Sequence, residues 1–230
     1  MAELRPAGMG CLAFALALQA AIVLAPAAFL GGFGLALEDP VIVAFVAATT
    51  VFCLVDVAPG LRRLAAPEAT VRRAGPAMNR LAAVSGTAIL VAFWAGISER
   101  LGGFLGEPWG WNVRGVGMAA LLGGIALRDA AIRQLGEFFV TELRVLDGQP
   151  LETRGIYRIV RHPSELGMLG VVLGAALWLG SLAALAVFFL AVLPATVVRV
   201  RRENALLREV FGLAYEDWAR RVWNLVPRVY

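Results

Sequence analysis

The feature that most constrains this chain is a set of apolar runs that neither alternate nor keep a polar face: Gly10 to Leu37, Val41 to Val57, Leu81 to Ser98 and Gly167 to Val198. A helix of a soluble domain keeps a polar stripe and a half-buried strand alternates, so runs of this kind belong in lipid. The composition agrees, because 60% of the 230 residues are hydrophobic and only 17% are charged, more apolar material than one soluble core absorbs. Crossing a hydrocarbon layer takes about 20 helical residues. That length sets helices near residues 10–33, 40–58, 81–98 and 114–134. The 166–198 run is too long for one ordinary crossing, and Trp178, Gly180 and Ser181 mark a reversal that folds it into a hairpin. The expected fold is all-α, an integral membrane bundle of about six transmembrane helices with a C-terminal helical hairpin and a cytoplasmic tail. The run after Arg5 is too long for the core of a signal peptide and reads as the first helix.

All 21 basic residues are arginine, which removes lysine nucleophiles and Schiff bases from consideration. The arginines flank apolar runs, so the net charge of +4 speaks for membrane sidedness and against nucleic acid. Arg62, Arg63, Arg72, Arg73 and Arg80 crowd the 59–80 connection, whereas the first connection offers Glu38 and Asp39. The 59–80 loop, the N-terminus, the 135–165 segment and the tail after Arg199 are therefore expected in the cytoplasm, and the 99–113 loop outside. The expected location is the bacterial inner membrane. Trp94, Trp109, Trp111 and Trp178 then form an aromatic belt at the outer interface. Cys11 and Cys53 sit within apolar runs without partners at metal-ligand spacing and read as small hydrophobes, so no metal is expected. Gly167, Gly170 and Gly174 line one side of a helix at the spacing of close helix packing.

Chemistry concentrates in two polar segments. The single histidine lies in Gly155-Ile156-Tyr157-Arg158-Ile159-Val160-Arg161-His162-Pro163, directly before an apolar helix. A lone histidine is usually structural, but here an arginine precedes it and a proline fixes the backbone after it. Beyond Arg199 come Arg201, Arg202, Glu203, Arg208 and Glu209, then Phe211-Gly212, Tyr215, Trp218 and Val226-Pro227. By composition alone this tail is an amphipathic interfacial helix with solvated charges.

Taken together, Gly155-x-Tyr157-x-x-x-Arg161-His162-Pro163-x-x-x-Gly167, a helical hairpin, and Arg202-Glu203-x-x-x-Leu207-x-x-x-Phe211-Gly212-x-x-Tyr215-x-x-Trp218 resemble the C-terminal signature of the isoprenylcysteine carboxyl methyltransferase and phospholipid methyltransferase superfamily. Ile132-Arg133-x-Leu135-Gly136 and Asp147-Gly148-x-x-Leu151 resemble the approach to that signature. The resemblance covers roughly residues 130–230 and divides the chain into N-terminal helices, 1–112, and a methyltransferase-like region, 113–230, with a cofactor loop at 150–167, the hairpin at 166–198 and the tail at 199–230. It implies S-adenosylmethionine as cofactor, held by Tyr157, Arg161, His162, Pro163, Gly167 and Glu203. It also implies catalytic roles for Arg161, His162 and Glu165, and acceptor contacts from Glu165, Arg202 and Tyr215. Two positions depart from the family pattern: Glu165 replaces a usual tyrosine, and Asn204 follows Glu203 where paired glutamates are common.

The implied reaction joins a water-soluble methyl donor to a lipophilic or lipid-attached acceptor at the cytoplasmic face. A prenylated cysteine carboxylate, a phospholipid amine, a small hydrophobic thiol and an isoprenoid-like metabolite all suit it. Two other classes remain open on sequence. One is an NADPH-dependent membrane reductase of the sterol reductase type, against which the chain's length argues. The other is a non-catalytic scaffold or transporter with Asp56, Arg128, Asp129 and Arg133 as pathway residues. The sequence does not specify the oligomeric state.

Overall fold

A computed structural model describes Ala20, Ile22 and residues 38–63, 70–73, 76–103, 109–139, 144–146 and 148–228. Helix α1 is Pro40–Arg63, α2 is Pro76–Gly102 and α3 is Trp111–Leu135. Helix α4 is Pro163–Leu179, α5 runs from Leu182 to Phe211, and α6 is Leu213–Ala219. Two short strands, β1 (Thr70–Arg73) and β2 (Arg144–Leu146), pair antiparallel, with Arg73 opposite Arg144. The connection read as a loop at 59–80 thus contributes a strand. The expected span at 10–33 lies outside the described residues apart from Ala20 and Ile22.

Helices Trp111–Phe138 and Leu182–Phe211 are long and apolar enough to cross a membrane, and Pro40–Asp56 and Pro163–Leu179 are shorter apolar helices. Large apolar side chains point outward along them: Val51, Leu54, Val116 and Leu122 are exposed, and Leu190 is 80% exposed. Lipid is the solvent that makes such a surface favourable.

The tightest packing joins α3 to α4 through glycine. A Cβ at Gly124 would lie 2.5 Å from the Gly167 carbonyl oxygen, and one at Gly174 would lie 2.3 Å from Leu121 N. Without side chains at these points the two backbones meet directly, which is how helices associate when no hydrophobic effect drives them together in lipid. Phe45, Ile97, Leu121, Val171 and Val172, each almost wholly buried, fill the core around this seam.

The expected reversal falls at Gly180, whose φ of +74° suits a residue without Cβ. Its N–H closes α4 on Ala176 and Leu177, and Ser181 then caps α5 by accepting a hydrogen bond from Ala184 N. Farther along, a π-helical turn at Phe188–Val192 precedes Pro194. Proline cannot donate to the carbonyl four residues back, and the widened turn absorbs that break without ending the helix. Helix α5 therefore carries the chain past the apolar residues into its charged half. There Gly212, with φ of +54°, stops it and α6 turns back.

Candidate functional site

Three segments converge at the open end of the α4–α5 hairpin, opposite the Gly180 turn. The first is the loop 155–162. Pro163 occupies the first position of α4, where its missing N–H costs nothing, and His162 stands immediately before it. The second is the polar half of α5. The third is the chain after α6, which runs beside the loop as an isolated parallel bridge between Val160 and Trp223. Arg161 N donates to Trp223 O at 2.9 Å, Trp223 N donates to Ile159 O at 3.1 Å, and Arg161 Nε donates to Val222 O at 3.1 Å. The C-terminal segment thereby fixes the backbone and the side chain of Arg161.

His162 is 4% exposed. Its Nε2 lies 2.8 Å from Asn204 Oδ1, and its Nδ1 lies 3.3 Å from Glu203 Oε2. Burial opposes a charged imidazole, but the charge and contact of Glu203, with help from Asn204, outweigh it and raise the histidine pKa above its ordinary value. Asn204 also accepts from Tyr215 Oη and donates through Nδ2 to Asn224 Oδ1 at 2.9 Å. One buried amide thus ties the loop, α5, α6 and the final segment together. Tyr157 is buried, and desolvation, then the charges of Glu203 and Glu152, push its phenol pKa up, so it stays neutral.

Beside this network lies a cavity of about 280 Å³. Of the residues singled out on sequence, Tyr157, Arg161, His162, Pro163, Glu165 and Glu203 line it. Gly167 instead packs against the Gly124 carbonyl and Arg128, Arg202 is exposed, and Tyr215 is fully buried behind Asn204. The structure adds residues that the sequence did not mark as site groups: Arg128 and Arg199, the aromatic Phe138 and Phe139, and Ser85, Gly86 and Ile89 of α2. Arg128 is held by Asp56 through Nε and by the Ser164 hydroxyl and carbonyl through Nη1, at 2.7 and 3.2 Å. Arg199 Nε lies 2.9 Å from Glu165 Oε1.

The phospholipid methyltransferase family matches residues 113–214. A protein-S-isoprenylcysteine O-methyltransferase, form B, of Arabidopsis thaliana is 30% identical over 128 residues, 55% of this chain and 65% of that protein. Residues 113–214 are thus similar to the isoprenylcysteine carboxyl methyltransferase and phospholipid methyltransferase superfamily. A methanethiol S-methyltransferase of Bradyrhizobium diazoefficiens is 31% identical over 134 residues, 52% of this chain and 50% of that protein. The solved structure of a eukaryotic intramembrane Ras methyltransferase, isoprenylcysteine carboxyl methyltransferase, superposes with a TM-score of 0.54 over 95% of this chain and 77% of that one; at 19% identity the likeness is one of fold. The chain spans less than two thirds of the length of these curated relatives.

The lining combines charged groups with aromatic and aliphatic ones. Arginine and carboxylate groups stand beside Phe138, Phe139, Leu206 and Phe211. The buried Trp218 Nε1 and Ser85 Oγ, both from residues of the lining, have no hydrogen-bond partner among the described residues. A buried donor left in this way favours a polar ligand beside it. Among the described residues no group of three or more His, Cys, Asp or Glu could hold a metal ion.

Proposed function

We propose that the protein transfers a methyl group from S-adenosylmethionine to a lipophilic acceptor at the cytoplasmic membrane face. The observation that carries this reading is the convergence of Arg161, His162 and Glu203 on one cavity, although a whole helical hairpin separates the loop from the glutamate.

When bound, the cofactor supplies a methyl on a positively charged sulfur, so displacement needs alignment more than acid or base assistance. The rest is the work of this chain's residues. Arg161, its Nε anchored on Val222 O, suits a carboxylate. Glu203 suits an ammonium or ribose hydroxyls, and the His162 contact holds it in place. The neutral Tyr157, Phe138 and Phe139 offer apolar faces to a purine. From the other side, Ser85, Gly86 and Ile89 of α2 and Met168 of α4 extend the lining into the apolar bundle, where a lipid-soluble acceptor would enter.

Incubating the purified protein in detergent with methyl-labelled cofactor and membrane lipid extract should give a labelled lipophilic product. That product should be lost in Arg161→Ala and His162→Ala variants that stay folded. Unlabelled extract, or binding of NADPH in preference to S-adenosylhomocysteine, would contradict the reading. The sidedness has its own check: single cysteines placed at Ala69 and Gly106, with Cys11 and Cys53 removed, should react with an impermeant reagent from opposite faces.

A further inference from the structure

The cavity's lining divides by charge. Ser85, Gly86, Ile89, Met168 and Thr196 form an uncharged stretch of it on the helices. Next to them along α4 and α5 stand Glu165 and Arg199, 2.9 Å apart, with side chains only 15% and 14% exposed. Arg128, the other cation at this level, is already matched by Asp56 and Ser164. An acceptor reaching the cavity from the bundle must therefore present its reactive end to a largely buried ion pair.

We propose that the Glu165–Arg199 pair selects the acceptor, turning away carboxylates and admitting a lipophilic thiol; this rests on the methyltransferase reading above. A carboxylate would have to compete with Glu165 for Arg199 and then lie beside a like charge in a place with little water to screen it. An ammonium meets the mirror-image difficulty. An uncharged nucleophile leaves the pair intact. Among uncharged nucleophiles an alcohol needs a strong base, whereas a thiol is far more acidic and its sulfur is intrinsically more nucleophilic. The carboxylates of the lining are already engaged, Glu152 with Arg154, Glu165 with Arg199 and Glu203 with His162. The thiol enters uncharged and gives its proton to water as its sulfur bonds to the methyl carbon. The donor's sulfur–methyl bond breaks with the electron pair staying on the donor's sulfur, and the products are a thioether and S-adenosylhomocysteine.

Octanethiol, octanoate and octylamine test this with one chain length and three head groups, using the full chain in detergent. The parent should methylate octanethiol at least about tenfold faster than the other two. Replacing the carboxylate by an isosteric amide, Glu165→Gln, should raise the octanoate-to-octanethiol rate ratio about tenfold or more, the worth of one charge-assisted contact. In calorimetry without cofactor, octanoate should also bind Glu165→Gln about tenfold more tightly than the parent. Octanoate methylation by the parent at the thiol rate, or a ratio and an octanoate affinity unchanged in Glu165→Gln, overturns the inference while leaving methyl transfer standing. Absence of all three products together with no binding of S-adenosylhomocysteine overturns the methyltransferase reading and this inference with it.

Discussion

The two ends of the α4–α5 hairpin both bury charge, and the open end also borders a cavity. At the turn end, Glu99 Oε2 accepts from Ser181 Oγ at 2.6 Å and Ala183 N at 2.9 Å, and Arg114, 2% exposed, donates to the Trp178 carbonyl at 2.8 Å. A Cβ on Gly180 would meet the Arg114 guanidinium at 2.7 Å, so the arginine side chain fills the space against the turn. At the open end, His162, Glu165, Arg199 and Glu203 pair with each other and still border a cavity. Burial of an ionic group is therefore a poor marker of a site by itself. At the turn end the charges close a helix junction, and at the open end they surround room for a molecule.

The largest expected effect comes from Arg128, which belongs to both categories because it closes a junction with α1 and lines the cavity. Arg128→Met strands Asp56 beside the core and should cost about 3 kcal/mol of stability, weakening S-adenosylhomocysteine binding as well. Adding Asp56→Leu should recover part of the stability and little of the affinity. Thermal unfolding in detergent and calorimetry separate the two, and a double variant no more stable than the single one would break the account of the pair.

At the turn end, Gly180→Ala puts a Cβ at a positive φ and against Arg114, and should cost about 1–2 kcal/mol. Cofactor affinity should stay within about threefold of the parent. An equal loss at both ends would erase the distinction between them.

A smaller effect lies in pH. Because Glu203 raises the His162 pKa in the folded state, the unfolded chain releases this proton first as pH rises. The stabilisation is then complete below the unfolded value of 6.5 and fades as pH climbs through the folded value. The difference in melting temperature between the parent and His162→Gln should shrink across that window. A difference that grows with pH would mean that His162 is held neutral.

Much of the frame was readable from sequence because lipid imposes its pattern on whole runs of residues. The hairpin and its Gly180 turn, the helices at 40–58, 81–98 and 114–134, and the nearness of His162 to Glu203 all follow from run lengths and from one reversal. The structure extends three of the helices, to Arg63, Gly102 and Phe211, since a helix does not end where its apolar residues do. The β1–β2 pair was not legible: four residues and three residues are too few to show a period, and their partners are about seventy positions apart. The role of Asn204 was hidden for a different reason. On sequence it was a departure from a pattern, and only folding brings His162, Tyr215 and Asn224 around its amide. On sequence Arg128 stood with Asp56, Asp129 and Arg133 only as a pathway residue of a transporter. Its partners Asp56 and Ser164 come from other helices, which no local spacing reveals.

The central claim is that the open end binds the methyl donor and the turn end does not. Glu203→Gln and Glu99→Gln make the same chemical change in a carboxylate at each end, and S-adenosylhomocysteine affinity by calorimetry compares them directly. Glu203→Gln should bind roughly tenfold to over a hundredfold more weakly, the cost of losing one charge-assisted contact, while Glu99→Gln binds within about threefold of the parent. Parent-like affinity in Glu203→Gln, or an equal loss in both variants, would contradict the account.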